Sequence, residues 1–114
     1  MLKVFLLAFV LNLLWENLHA RLYTHYKGKP ITRGLLVRAA LFDALVITLA
    51  LVIFENILIA ALVLLVFAIL LERWALATNR WAYRTSMPII PLFNTGLSPT
   101  IQLVVTSYLI GFIL

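Results

Sequence analysis

LLVRAALFDALVITLALVIFENILIAALVLLVFAILL, residues 35–71, is a nearly unbroken apolar run with one clear interruption near its middle. A helix rises about 1.5 Å per residue and needs about 20 residues to cross the hydrocarbon core of a bilayer, so the run is too long for one span and long enough for two. Glu55-Asn56 supplies the natural hairpin, giving spans of about 35–54 and 57–78. Before them lies a further apolar stretch, 2–20, and a polar connection, RLYTHYKGKPITRG (21–34), with Gly28, Pro30 and Gly34 as breakers. After them a fourth helix is expected over 98–114, with Ser98 as its cap and Pro99 as its first helical residue. The expected fold is all-α: a polytopic membrane protein, one transmembrane domain over 1–114, with four transmembrane helices in a bundle of two hairpins.

Composition agrees. The chain has 114 residues, 65% of them hydrophobic and 11% charged, with a mean hydropathy of +1.11. A soluble domain carries about a quarter charged residues, so too few are present here to cover a surface in water. With no cysteine, disulfides, thiol catalysis and Cys-ligated metal are excluded. The net charge of +5 comes from residues flanking the apolar runs, where they orient the chain and meet anionic lipid, and no groove-reading module points to nucleic acid. Membrane lipids are the expected partners, with a homodimer or a larger membrane complex as further arrangements.

Asn12, Trp15, Glu16, Asn17 and His19 stand where a leader would need small residues, so 1–20 reads as a retained span. Arg21, Lys27, Lys29, Arg33 and Arg38 lie on one side of the spans together with Arg73, Arg80 and Arg84. The positive-inside rule then places both long loops in the cytoplasm and both termini outside, in a bacterial inner membrane. WENL (15–18) and LERW (71–74) each put an acid at the end of a hairpin's first helix, the outline of a parallel internal repeat.

All four acids lie in or beside apolar runs. A carboxylate in a spanning helix is costly unless paired, protonated or hydrated, which directs it into the bundle. At about 100° per residue, Asn12, Glu16, His19 and Tyr23 share one face of the first helix, with Trp15 alongside. Glu72, Asn79 and Tyr83 line up if the third helix continues past Thr78, and Ser98, Gln102 and Thr106 form a stripe on the fourth. Asp43 lies about two turns into the second helix, between Ala39 and Ala50. Each span thus brings polar atoms to the cytoplasmic half of the bundle. The candidate catalytic residues are Glu16, His19, Asp43 and Glu72; the candidate substrate-binding residues are Asn12, Trp15, Tyr23, Arg73, Asn79, Arg80, Tyr83 and Gln102. The same aromatics also suit an interfacial belt, and the polar residues suit helix–helix hydrogen bonding.

Three chemistries fit the pattern. Glu16-Asn17-Leu18-His19 is a Glu-x-x-His motif, but a di-metal bundle needs two such motifs and two more carboxylates, so Asp43, Glu72 and His25 would have to complete the set by looser ligation or in a dimer. No metal site and no cofactor are assigned. General acid–base work by Glu16 or Glu72 with His19 is the second. The third is anion recognition by Arg21, Arg73, Arg80 and Arg84 with the start of the fourth helix. The resulting expectation is an enzyme, or an enzyme subunit, acting on a lipid or isoprenoid; a small dimeric transporter or channel, or an assembly subunit, is the alternative.

ERWALATNRWAYRTSMPIIPLFNTGLSPTIQ (72–102), with WENLHARLYT (15–24), resembles an uncharacterised family of small bacterial integral membrane proteins in which a basic aromatic stretch precedes a proline pair and a Gly-Leu-Ser-Pro turn. More distantly, Ala75 to Tyr83 followed by a proline-led helix is similar to the membrane-embedded lycopene cyclase domains of carotenoid biosynthesis. That resemblance implies a shared helical architecture. The cyclase pattern places tandem acids just after its proline, whereas Ser98-Pro99-Thr100-Ile101-Gln102 has none, so the proton donor of ring closure is not carried over.

Overall fold

A computed structural model describes residues 1–26 and 31–114. Lys27 and Lys29, counted in the orientation above, and the breakers Gly28 and Pro30 lie outside the described residues. The described residues form four α-helices, α1 (Leu2–His19), α2 (Arg33–Ile53), α3 (Ile57–Ala77) and α4 (Leu97–Ile113). Each begins and ends within two residues of the apolar run it was read from. Three are long and apolar enough to cross a membrane; α4 is shorter.

Local chemistry sets the helix ends. Thr32 Oγ1 accepts the Leu35 amide at 3.3 Å and opens α2. Asn56 Oδ1 accepts from Leu58 at 2.8 Å and opens α3, so half of the Glu55-Asn56 hairpin is a cap. α3 stops at Ala77, within a residue of the expected 78, so the continuation past Thr78 that would have lined up Glu72, Asn79 and Tyr83 does not form. Thr78 Oγ1 bonds back to the Trp74 carbonyl, and Asn79 follows in the left-handed region at φ 56°, which the residue type tolerates and a helix does not. The start of α4 also departs from expectation. Gly96 is its boundary residue, and the Ser98 hydroxyl makes no cap. Glycine is required at 96 by proximity, because a Cβ there would sit 2.8 Å from Met87 Sδ and 3.1 Å from Pro99 Cδ.

The purely helical expectation needs a further correction. After a 3₁₀ turn over Ala20–Leu22, β1 (Tyr23–Tyr26) pairs antiparallel with β2 (Trp81–Tyr83). β3 (Ile89–Ile90) pairs with β4 (Thr95–Gly96) across a turn in which Asn94 is left-handed. These ribbons close the loop end of the bundle. The first joins segments nearly sixty positions apart, a pairing no local turn signal announces.

The helices form a ring in the order α2, α1, α4, α3. α1 packs most extensively on α2, and α3 on α4; the α2–α3 seam is the thinnest between neighbours. Ala8, Ala44, Ile47, Ala50, Leu64, Ala68, Leu103 and Ile110 make the core. Small residues let helices approach closely where no hydrophobic force draws them together. Outside, Leu6, Val10, Leu14 and Leu18 on α1, and Leu58, Leu62, Val66 and Leu70 on α3, form exposed ridges at four-residue spacing. Leucine outward and Asn12, Thr106, Ser107 and Gln102 inward is the polarity of a protein solvated by lipid.

Candidate functional site

The centre of the polar cluster is one amide. Gln102 Nε2, on α4, lies 2.9 Å from Asn12 Oδ1, 3.0 Å from Glu16 Oε1 and 2.9 Å from Asp43 Oδ2. Asn12 spends its own donor on the Ala8 carbonyl at 2.7 Å, so its oxygen must face Gln102, and the Gln102 amide is oriented by three acceptors. An NH₂ group has two hydrogens. Three oxygens converge on it, and the arithmetic leaves a place for one proton on the Glu16 and Asp43 carboxyls. Two carboxyls in one buried site are a recurring way to hold such a proton.

Glu16 uses its other oxygen on His19, whose Nε2 is 2.9 Å from Oε2. His19 Nδ1 is 2.8 Å from Ser98 Oγ, which also accepts the Trp15 indole N–H at 3.0 Å. A hydroxyl that accepts from Trp15 can donate to His19 Nδ1, leaving Nε2–H to face Glu16. Ser98 was read as a cap. It is instead a fixed partner that orients His19, and its place one turn before Gln102 on the polar stripe was the signal.

Glu72 is held differently. Its Oε1 accepts from Tyr23 Oη at 3.2 Å, and its Oε2 from Trp81 Nε1 at 2.8 Å and Tyr83 Oη at 2.6 Å. Burial, and next the charge of Glu72, push the phenols of Tyr23 and Tyr83 above their ordinary value, so both remain protonated donors. Tyr23 packs edge-on against His19 with centroids 5.3 Å apart, which joins the Glu72 clamp to the Glu16 cluster.

A cavity of about 400 Å³ lies among all four helices and the β1–β2 ribbon. Glu16, His19, Asp43, Glu72 and Gln102 reach it, with Tyr23, Trp74, Trp81, His25, Arg38 and Arg80, among apolar walls from Leu35, Leu36, Phe42, Ala68, Leu71 and Leu103. Arg80 stacks over Trp74, its Cζ 4.3 Å from the ring centroid, and its buried Nε has no hydrogen-bond partner among the described residues.

The sequence-derived set is thus divided. Asn12, Glu16, His19, Asp43 and Gln102 converge, as do Glu72, Tyr23 and Tyr83, and Arg80 lines the cavity. Trp15 acts behind His19 through Ser98. Arg73 and Asn79 are exposed and outside the site: Arg73 turns off the buried face of α3, and Asn79 ends the helix that was to carry it inward. Arg21 and Arg84 are likewise exposed, the latter donating to the Tyr23 carbonyl at 3.1 Å. Trp81, Arg38 and Ser98 were missed. Among the described residues no group of three or more His, Asp or Glu is arranged to hold a metal ion. No family model, curated protein or solved structure matches the chain.

Proposed function

We propose that the chain is a four-span protein of a bacterial inner membrane, both termini outside, that works as an enzyme or enzyme subunit on a lipid or isoprenoid. The observation that carries this is the single cluster of Glu16, Asp43, His19 and Gln102 at the wall of a cavity lined otherwise mostly by hydrocarbon and aromatic side chains. A proton delivered to an unsaturated chain by one carboxyl, and taken from a neighbouring carbon by its partner, balances without a co-reactant. His19, held between Ser98 and Glu16, keeps the Glu16 carboxyl oriented and exchanges protons with it. The resemblance to lycopene cyclase domains bears on architecture; here the acids come from α1 and α2 and not from the proline-led helix.

Expression of the wild-type chain and of Asp43→Asn and Glu16→Gln in a host, followed by mass spectrometry of extracted lipids and pigments, tests the proposal. A wild-type-specific product that both variants lack is expected. Identical profiles from all three would sink the enzymatic reading.

A further inference from the structure

We infer that the cavity binds an anionic-headed, single-chain amphiphile, with its head on Arg80 and its chain between α2 and α3. This deepens the lipid reading above and rests on it. Arg80 is the first ground. Its guanidinium reaches the cavity, lies over Trp74, and has a buried Nε without a partner. No ion pair joins it to a carboxylate among the described residues. Glu72, in the same cavity wall, already accepts from three neutral donors. A guanidinium is always charged and presents a planar fork suited to phosphate or carboxylate oxygens.

The seam is the second ground. The other neighbouring helix pairs pack more closely, and α2 and α3 contact each other least. Leu36 and Phe42 of α2 and Leu71 and Trp74 of α3 line the cavity, and Phe42 and Trp74 are also exposed on the outer surface. At about 400 Å³ the cavity falls at the lower end of the roughly 300–1,000 Å³ usual for ligand sites, room for a head and part of a chain, so a long chain must extend beyond it. Depth gives the third ground. Arg38 is exposed on α2, and Asp43 lies five residues further along, about 7 Å deeper at helical rise. Arg80 lines the same cavity as Glu16 and Asp43, so a head on Arg80 leaves the chain that follows it in the space those carboxyls wall.

The full chain in phosphatidylcholine nanodiscs, followed by tryptophan emission and by mass spectrometry of the retained amphiphile, is the test. The probes are a long-chain alkyl phosphate, the alcohol of equal chain length, and inorganic phosphate. The alkyl phosphate should saturate the signal, with the alcohol and inorganic phosphate each at least about tenfold weaker, since each lacks one half of the recognition. Arg80→Gln should remove the preference over the alcohol, Arg80→Lys should restore part of it, and Arg73→Gln should leave it intact. Ala39→Phe, which narrows the seam, should weaken the alkyl phosphate and leave inorganic phosphate unchanged. Inorganic phosphate binding as tightly as the alkyl phosphate would overturn the amphiphile in favour of a soluble anion. Equal binding of alcohol and alkyl phosphate, unchanged by Arg80→Gln, would overturn the anionic head. Asp43→Asn should keep this binding, so that loss of turnover and loss of binding fail separately.

Discussion

Three acids reach one cavity, and one of them lives under conditions opposite to those of the other two. Glu72 has three donors for one carboxylate, all neutral, all on rigid rings. Glu16 and Asp43 share with Asn12 a single amide that has too few hydrogens for all of them. A carboxylate held by three ring donors is a fastener, since each donor fixes its place and most of its acceptor capacity is used. An under-supplied pair can take and release a proton. The contrast teaches that burial alone does not mark a catalytic acid; the balance of donors around it does.

The comparison breaks most visibly at Gln102. Gln102→Leu leaves three buried oxygens without their common donor, and should cost about 3–5 kcal/mol in thermal unfolding in mild detergent, with product formation lost. A melting temperature equal to wild type would mean the cluster is hydrated and the donor arithmetic is wrong. Asp43→Asn is next: turnover of the host-derived lipid should fall by about 10²–10⁴ while the protein still folds, the range of a general acid or base. Glu72→Gln should do the reverse. It puts an NH₂ where an acceptor is needed, so stability should drop by about 2–3 kcal/mol with turnover of the surviving protein retained. Lost turnover in a folded Glu72→Gln protein would erase the distinction between the two acids. Smaller effects should sharpen it: Tyr83→Phe removes the shortest of three bonds to Glu72 and should cost about 1.5 kcal/mol. Ser98→Ala, which frees His19 Nδ1, should cost about 1 kcal/mol and move the pH profile of turnover, a shift that a purely structural role would not produce.

How much of this was legible follows the same division. Asn12, Glu16, Asp43 and Gln102 lie on regular helices, where periodicity alone puts them on inward faces, and the lengths of the apolar runs set α1 to α4. The clamp on Glu72 was legible only by accident. Tyr83 was expected to line up with Glu72 only if the third helix ran on past Thr78; it arrives there by chain reversal after Ala77 and pairing of β2 with β1. Asn79, on the same assumed helix, is carried outward for that reason. Of four arginines grouped for anion recognition, only Arg80 reaches the cavity, because it follows the reversal, whereas Arg73 sits on an outer face of α3. Long-range pairing of two short strands leaves no local trace in composition or period.

The position of Gln102 on the last helix has a consequence for biogenesis. Chains emerge from the ribosome amino-terminus first, so Asn12, Glu16 and Asp43 enter the membrane on α1 and α2 before their shared donor has been synthesised. Until α4 arrives, Glu16 has His19 of its own helix as a partner, and neither acid has the amide they come to share. Arrival of α4 both completes the helix ring and brings the donor that Asn12, Glu16 and Asp43 share. A nascent chain lacking α4 would carry its exposed acids as a mark of incompleteness, legible to whatever quality control patrols that membrane.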